Sequence, residues 1–201
     1  MEETGRLPRA GGPSIAYRRR PGKQPTVVFL GGFRSDMSGS KASALDAHCA
    51  ARGQAFLRLD YSGHGASDGA FEDGTVGSWT QDALAAIDAL AGDECVLVGS
   101  SMGGWIMLEV ALARPGRVRA MLGIAAAPDF TEDLVWARMD AATRRALEDT
   151  GVVRQASERL SAHMAGILQS VHSALAHAKV YSRGGVIAIG PNVISTLDIK
   201  S

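Results

Sequence analysis

Between residues 26 and 127 the chain repeats one pattern: an apolar run without alternation, then a segment whose apolar residues step by three and four. The runs are Thr26–Leu30, Gln54–Tyr61, Glu94–Val98 and Val118–Ala127. Continuous apolar character predicts strands covered on both faces, as in a parallel sheet. The intervening segments read as helices. Lys41 to Arg52 carries Ala44, Leu45, His48 and Cys49 on one side and meets Gly53 where a helix favours glycine. Val76, Trp79, Ala83, Ile87 and Leu90 form a stripe, with Gln81, Asp82 and Asp88 on the opposite face, so Trp79 is a core residue. Ser101 to Arg114 is a third helix, halted by Pro115-Gly116. Ahead of these, Leu7–Arg9 and Ile15–Arg18 flank Gly11-Gly12-Pro13-Ser14 as a hairpin, and Pro21 to Pro25 breaks the pattern. Strands alternating with helices imply a mostly parallel sheet wrapped on both sides, behind an antiparallel N-terminal hairpin.

Composition narrows the function classes. With 201 residues, 46% hydrophobic and 21% charged, the chain suits one globular domain. Its 21 basic and 21 acidic residues cancel, which gives no electrostatic reason to expect nucleic acid or an anionic membrane as partner. Arg18-Arg19-Arg20 reads as a solvated strand end. No apolar run reaches the ~20 residues of a membrane span, and the acidic Met1 to Arg6 stretch lacks a secretory signal's apolar segment. Cys49 and Cys95 form no disulfide framework and are expected as buried thiols, which favours a cytoplasmic location.

Candidate chemistry concentrates in Gly99-Ser100-Ser101-Met102-Gly103, a GxSxG between a predicted strand and a predicted helix. Small residues there permit a sharp turn that lifts the Ser101 hydroxyl clear of the sheet. A helix starting at the serine aims free N–H groups at any oxyanion that forms beside it. Ser101 is therefore the candidate catalytic nucleophile, with the Met102 amide as oxyanion donor. Gly31-Gly32-Phe33-Arg34, at the end of an earlier strand, offers the Phe33 amide as second donor, or is a plain turn. Serine excludes the aspartyl chemistry of dehalogenases and epoxide hydrolases.

Other candidates read as structural. His48 is a helix-surface residue. His64, in the glycine-rich loop from Ser62 to Gly69, precedes the nucleophile, whereas the histidine of such a triad follows it, so it is a loop residue packing on the site. No basic residue or immediate helix makes that loop a phosphate cradle.

From Phe29 to about Asp129 the chain resembles the α/β-hydrolase fold. GGFRSDMSGSKA, FLRLDYSGHGASDG, the Trp79 helix and LVGSSMGGWIMLEVALARP resemble, in order, the branch that contains the mycophenolic acid acyl-glucuronide esterase or palmitoyl-protein thioesterase type and its bacterial relatives. The resemblance covers roughly half the chain. It implies hydrolysis of a small-molecule or acyl-protein ester or thioester through an acyl-Ser101 intermediate, with no cofactor and with Phe33 and Met102 as the oxyanion hole.

A serine needs a histidine to take its proton and a carboxylate to steady that histidine. The resemblance implies an acid in a GxxD context after a later strand, then a histidine loop, and neither motif occurs. Residues 151–201 hold two acidic residues, Glu158 and Asp198, against five basic ones and three histidines. Leu160, Met164, Ile167, Val171 and Leu175 predict a helix, and Gly184 to Pro191 a short strand. His163, His172 and His177 do not share the four-residue spacing of a zinc helix, so no metal site is expected. Asp129 with one of these histidines would keep the required order; Asp198 has no histidine after it. The expected organisation is a hydrolase core at 1–129, a cap-like segment at 130–150 with Leu134, Val135, Trp136, Met139 and Leu147, and an atypical segment at 151–201. An altered C-terminus, truncated or frame-shifted, accounts for that last segment better than a divergent cap. The alternative function is a noncatalytic hydrolase-like protein that binds an acyl ligand or a protein partner.

Overall fold

A computed structural model describes residues 1–131 and 135–150, together with strands at 181–183 and 186–189. The chain divides into two units, one of Met1–Pro128 with Val180–Ala188 and one of Asp129–Lys179 with Ile189–Ser201.

The first unit is built on an eight-stranded mixed sheet in the order β1-β2-β4-β3-β5-β6-β8-β7. Its strands are β1 (Glu3–Arg9), β2 (Gly12–Arg20), β3 (Lys23–Leu30), β4 (Gln54–Leu59), β5 (Cys95–Ser100), β6 (Val118–Ile124), β7 (Tyr181–Arg183) and β8 (Val186–Ile189). β4, β3, β5 and β6 are parallel neighbours, and each apolar run of the sequence supplies one of them. The predicted hairpin is β1 and β2, which add antiparallel strands beside β4.

Helices α1 (Ser40–Arg52), α2 (Val76–Leu90) and α3 (Met102–Ala113) are the crossovers. Strand alternation sends Phe29, Phe56 and Val98 to one face, where they pack with Ala42 and Cys49 of α1. Val28, Leu30, Leu57 and Leu97 turn to the other face and are fully buried, on the side where α2 and α3 pack against each other. A capping box starts α2: the Thr75 hydroxyl accepts the Ser78 N–H, and the Ser78 hydroxyl accepts the Thr75 N–H. Gly53 ends α1 in the left-handed conformation, φ 64°.

Several sequence expectations are corrected. β3 begins at Lys23 and so runs through Pro25, because that end pairs with Gln54 of β4 despite the missing donor. β6 stops at Ile124, where Ala125 turns left-handed at φ 47°. Arg18, Arg19 and Arg20 are half-buried rather than a solvated end; Arg19 pairs with Glu3 at 2.6 Å, and Arg20 with Asp46 at 2.9 Å. Ala44 faces solvent, and Ala42 with Cys49 carries the buried side of α1. Asp82 is the largest departure. It is 0% exposed on the inner side of α2, where it pairs with Arg9 of β1 and accepts the Ser62 N–H and hydroxyl, each at 2.7 Å. A charge at a polar position of the helical period is thus an internal tie between hairpin, loop and helix.

In the second unit, Trp136–Arg138 forms a 3-10 turn and α4 covers Ala141–Thr150. Asp140 caps α4, accepting the Thr143 N–H and hydroxyl at 2.8 Å each. Arg144 lies 5.4 Å from the Trp136 ring centroid and donates to the Ala137 carbonyl at 2.9 Å. Of the apolar residues expected in a cap, Leu134 lies outside the described residues, whereas Val135, Trp136, Met139 and Leu147 are half-buried. The predicted helix from Leu160 to Leu175 also lies outside the described residues. No helix among the described residues is long and apolar enough to cross a membrane.

Candidate active site

Ser101 stands at the junction of β5 and α3 with φ 54° and ψ −121°, a conformation L-residues avoid at a cost of about 1–3 kcal/mol. Neighbouring backbone holds it there. Its N–H donates to the Ile124 carbonyl of β6 at 3.0 Å, and its carbonyl accepts the Gly104 and Ala127 amides at 2.8 and 3.1 Å. The side chain is half-exposed, and among the described residues nothing bonds its hydroxyl. Strain in the backbone, a free hydroxyl and three clamping bonds make this a presented side chain rather than a packed one.

Close approach explains the flanking glycines. A Cβ on Gly99 would run into the Gly103 carbonyl, and one on Gly103 into the carbonyls of Leu30 and Gly31 at the end of β3. The helix start is thereby seated against two strand ends. Met102 opens α3 with its side chain fully buried, and the first amides of a helix have no acceptor within it.

The predicted second donor lies on a turn from Gly32 to Ser35, closed by the Ser35 N–H on the Gly32 carbonyl at 3.1 Å. This turn abuts the serine: a Cβ on Gly32 would lie 3.3 Å from the Ser101 Cβ. Phe33 anchors it through ring contacts at 5.0 Å with Phe71 and 6.1 Å with Trp79. A cleft of 290 Å³ opens beside it, lined by Arg34, Asp36, His64, Phe71 and Glu72 among others.

His64 is 3% exposed, against the rings of Tyr61, Phe71 and Trp79 at 5.6, 5.0 and 5.0 Å. Its Nε2 accepts the Arg34 N–H at 3.3 Å, and its Nδ1 lies 3.2 Å from the Ser62 carbonyl. Burial lowers its pKa below the ordinary 6.5, so the ring is neutral at pH 7. With both nitrogens engaged, it packs on the site as expected and has no free position for a serine proton. His48 is exposed on α1 beside Arg52.

Sequence reasoning passed over Asp60. Its carboxylate accepts the Met37 N–H at 2.6 Å and the Ala66 N–H at 2.9 Å, tying together the loops that follow β3 and β4. Burial raises its pKa against the lowering by those two amides. A strand-terminal aspartate before a glycine-rich loop was the available signal. Asp129 is exposed with φ 54°. His163, His172, His177 and Asp198 lie outside the described residues. Among the described residues no cluster of three or more His, Cys, Asp and Glu side chains could hold a metal. Both cysteines are buried, and burial raises their pKa, so they stay protonated thiols.

A profile of the α/β hydrolase fold matches residues 25–187. The chain belongs to the α/β-hydrolase fold family. Within that family it is 49% identical over 117 residues to the mitochondrial palmitoyl-protein thioesterase ABHD10 of Rattus norvegicus, a match covering 58% of this chain and 39% of that protein. It is 31% identical over 129 residues to the pimeloyl-[acyl-carrier protein] methyl ester esterase of Nitrosospira multiformis, covering 60% of this chain and 46% of that one. The solved structure of the alpha/beta hydrolase domain-containing protein 10 from mouse superposes with a TM-score of 0.72 and 40% identity, over 79% of this chain and 63% of that one. The chain thus spans about two fifths to a half of the length of these two sequence relatives.

Proposed function

We propose that this α/β-hydrolase-family chain acts on carboxylic esters or thioesters through an acyl-Ser101 intermediate. The observation that carries the reading is the half-exposed Ser101 hydroxyl, unbonded among the described residues, on a clamped left-handed residue at the start of α3. Relatives named as a thioesterase and a methyl ester esterase support the substrate class. In this reading Ser101 Oγ attacks the acyl carbonyl, its proton passes to a base, and the Met102 and Phe33 amides take the negative charge of the tetrahedral intermediate. Collapse expels the alcohol or thiol with a proton returned to it. Water then attacks the acyl-serine by the same route, releasing the carboxylic acid and restoring the hydroxyl. No cofactor enters.

The absence of the expected acid and histidine motifs from the sequence favours a second reading, a noncatalytic protein that binds an acyl ligand or a partner. An intact oxyanion hole would still leave catalysis on the order of 10³ over water. A fluorophosphonate probe separates the two, because phosphonylation needs an activated serine. The hydrolase reading expects labelling of the wild type that disappears in Ser101→Ala; an unlabelled wild type that still binds an acyl ligand supports the second.

A further inference from the structure

The turn beside Ser101 has a conformation that its own residues do not favour. Arg34, third of the four residues Gly32 to Ser35, has φ 54°, and Phe33 is not left-handed, which makes the turn type II. That position suits glycine. Arginine suits type I, in which the central peptide, Phe33 C=O with Arg34 N–H, is turned over by roughly 180°. Something outside the turn must set the orientation observed.

His64 meets that requirement. The Ser62 carbonyl can only accept, so Nδ1 carries the hydrogen, and the lone pair left on Nε2 receives the Arg34 N–H. The surrounding rings keep the imidazole from turning. We propose that His64 is a positioning residue for the hydrolysis put forward above: by accepting the Arg34 N–H it holds the Phe33–Arg34 peptide in the type II orientation, and with it the turn that carries the Phe33 oxyanion donor.

This inference rests on the proposed function for its catalytic consequence but not for its geometry. Turning the peptide over would reverse a dipole of about 3.5 D beside the place where the tetrahedral intermediate gains charge. Bound ester carries little of that charge, so the loss falls on kcat and leaves KM nearly unchanged.

Two variants separate positioning from packing. His64→Phe keeps an aromatic ring in the cluster and removes the acceptor; adding Arg34→Gly gives the turn the residue that type II prefers. With a p-nitrophenyl acyl ester, His64→Phe is expected to lower kcat about tenfold, less than the loss of a whole oxyanion donor. KM should stay within about twofold, and the double variant should recover most of the rate. A crystal structure of His64→Phe should show Arg34 at negative φ. Positive φ in that variant, or a double variant no faster than the single one, overturns the proposal. If the wild type does not turn over the ester, the proposed function falls, and the sign of φ alone decides for or against His64. Should His64→Phe not fold, the 15N spectrum of the wild-type imidazole serves: a protonated Nδ1 with a bare Nε2 is required, and a proton on Nε2 overturns the inference.

Discussion

Buried ionisable residues carry the loops around Ser101, and their protonation leaves a measurable trace. His64 has a depressed pKa because burial penalises its cation, although the Ser62 carbonyl and Asp60 push the other way. Above the unfolded value near 6.5 the ring is neutral in both states and contributes nothing to pH dependence. As the pH drops below 6.5, the unfolded chain binds a proton that the folded chain refuses, so stability falls until the lower folded pKa is passed. Asp60, Asp36, Glu72 and the Arg34 guanidinium face the same region, and they are common to wild type and His64→Phe. The stability difference between those two proteins, from urea unfolding, should therefore be flat above about pH 6.5 and shift against the wild type below it. A difference independent of pH would mean that the imidazole is not held neutral. Asp60 gives a second test at this scale. Each of its oxygens accepts one amide, so Asp60→Asn can satisfy Met37 or Ala66 but not both, and its NH₂ then faces an N–H. The expected loss is about 1–3 kcal/mol, read as a lower urea midpoint with the slope unchanged.

At the scale of elements, one substitution should have opposite signs in two helices. Alanine exceeds glycine in helix propensity by up to about 1 kcal/mol. At Gly77, near the start of α2, a Cβ would meet, among the described residues, only the Thr75 Oγ1 at 3.7 Å, so Gly77→Ala should stabilise by up to that amount. At Gly103 the same Cβ would strike the carbonyls of Leu30 and Gly31, backbone atoms that cannot swing aside. Overpacking typically costs about 1–3 kcal/mol, and such close approach puts Gly103→Ala at the upper end, outweighing the propensity gain. Thermal unfolding should show Tm rising for Gly77→Ala and falling for Gly103→Ala; a rise for both would mean that α3 is not seated on the end of β3. The sharp turn at Ser101 was legible in the sequence for the same reason, since only small residues fit where three backbone segments meet. Parallel strands were legible because burial on both faces leaves a continuous apolar run. Asp82 was not, because periodicity records which face a residue occupies, while its partners Arg9 and Ser62 lie far away along the chain. Arg34 was missed too: nothing in Phe-Arg announces a left-handed residue, which the Arg34 bond to His64 stabilises from outside the turn. No catalytic acid or base was legible in the sequence, because the motifs that would mark them do not occur.

Across the whole molecule, stability should be graded rather than uniform. β3 and β5 lie inside the sheet with hydrogen-bonded strands on both sides, and Val28, Leu30 and Leu97 on them are 0% exposed. Their amides can reach water only when the sheet itself opens. α4 has ten residues and buries none of them. A helix shorter than ~12–15 residues is marginal without tertiary packing, and among the described residues α4 is held mainly by the Asp140 cap, the Arg144 contacts and the half-buried Leu147. Native-state hydrogen exchange should therefore find the Val28 and Leu97 amides exchanging with the free energy of global unfolding, while those of Ala146 to Thr150 exchange by local opening at several kcal/mol less. The two groups should also respond differently to dilute urea: global exchange steepens with denaturant because much surface is exposed, whereas local fraying exposes little and stays nearly flat. Equal protection and equal slopes in both would mean that α4 is locked into the same cooperative unit as the sheet, and that its exposed side chains misrepresent its stability.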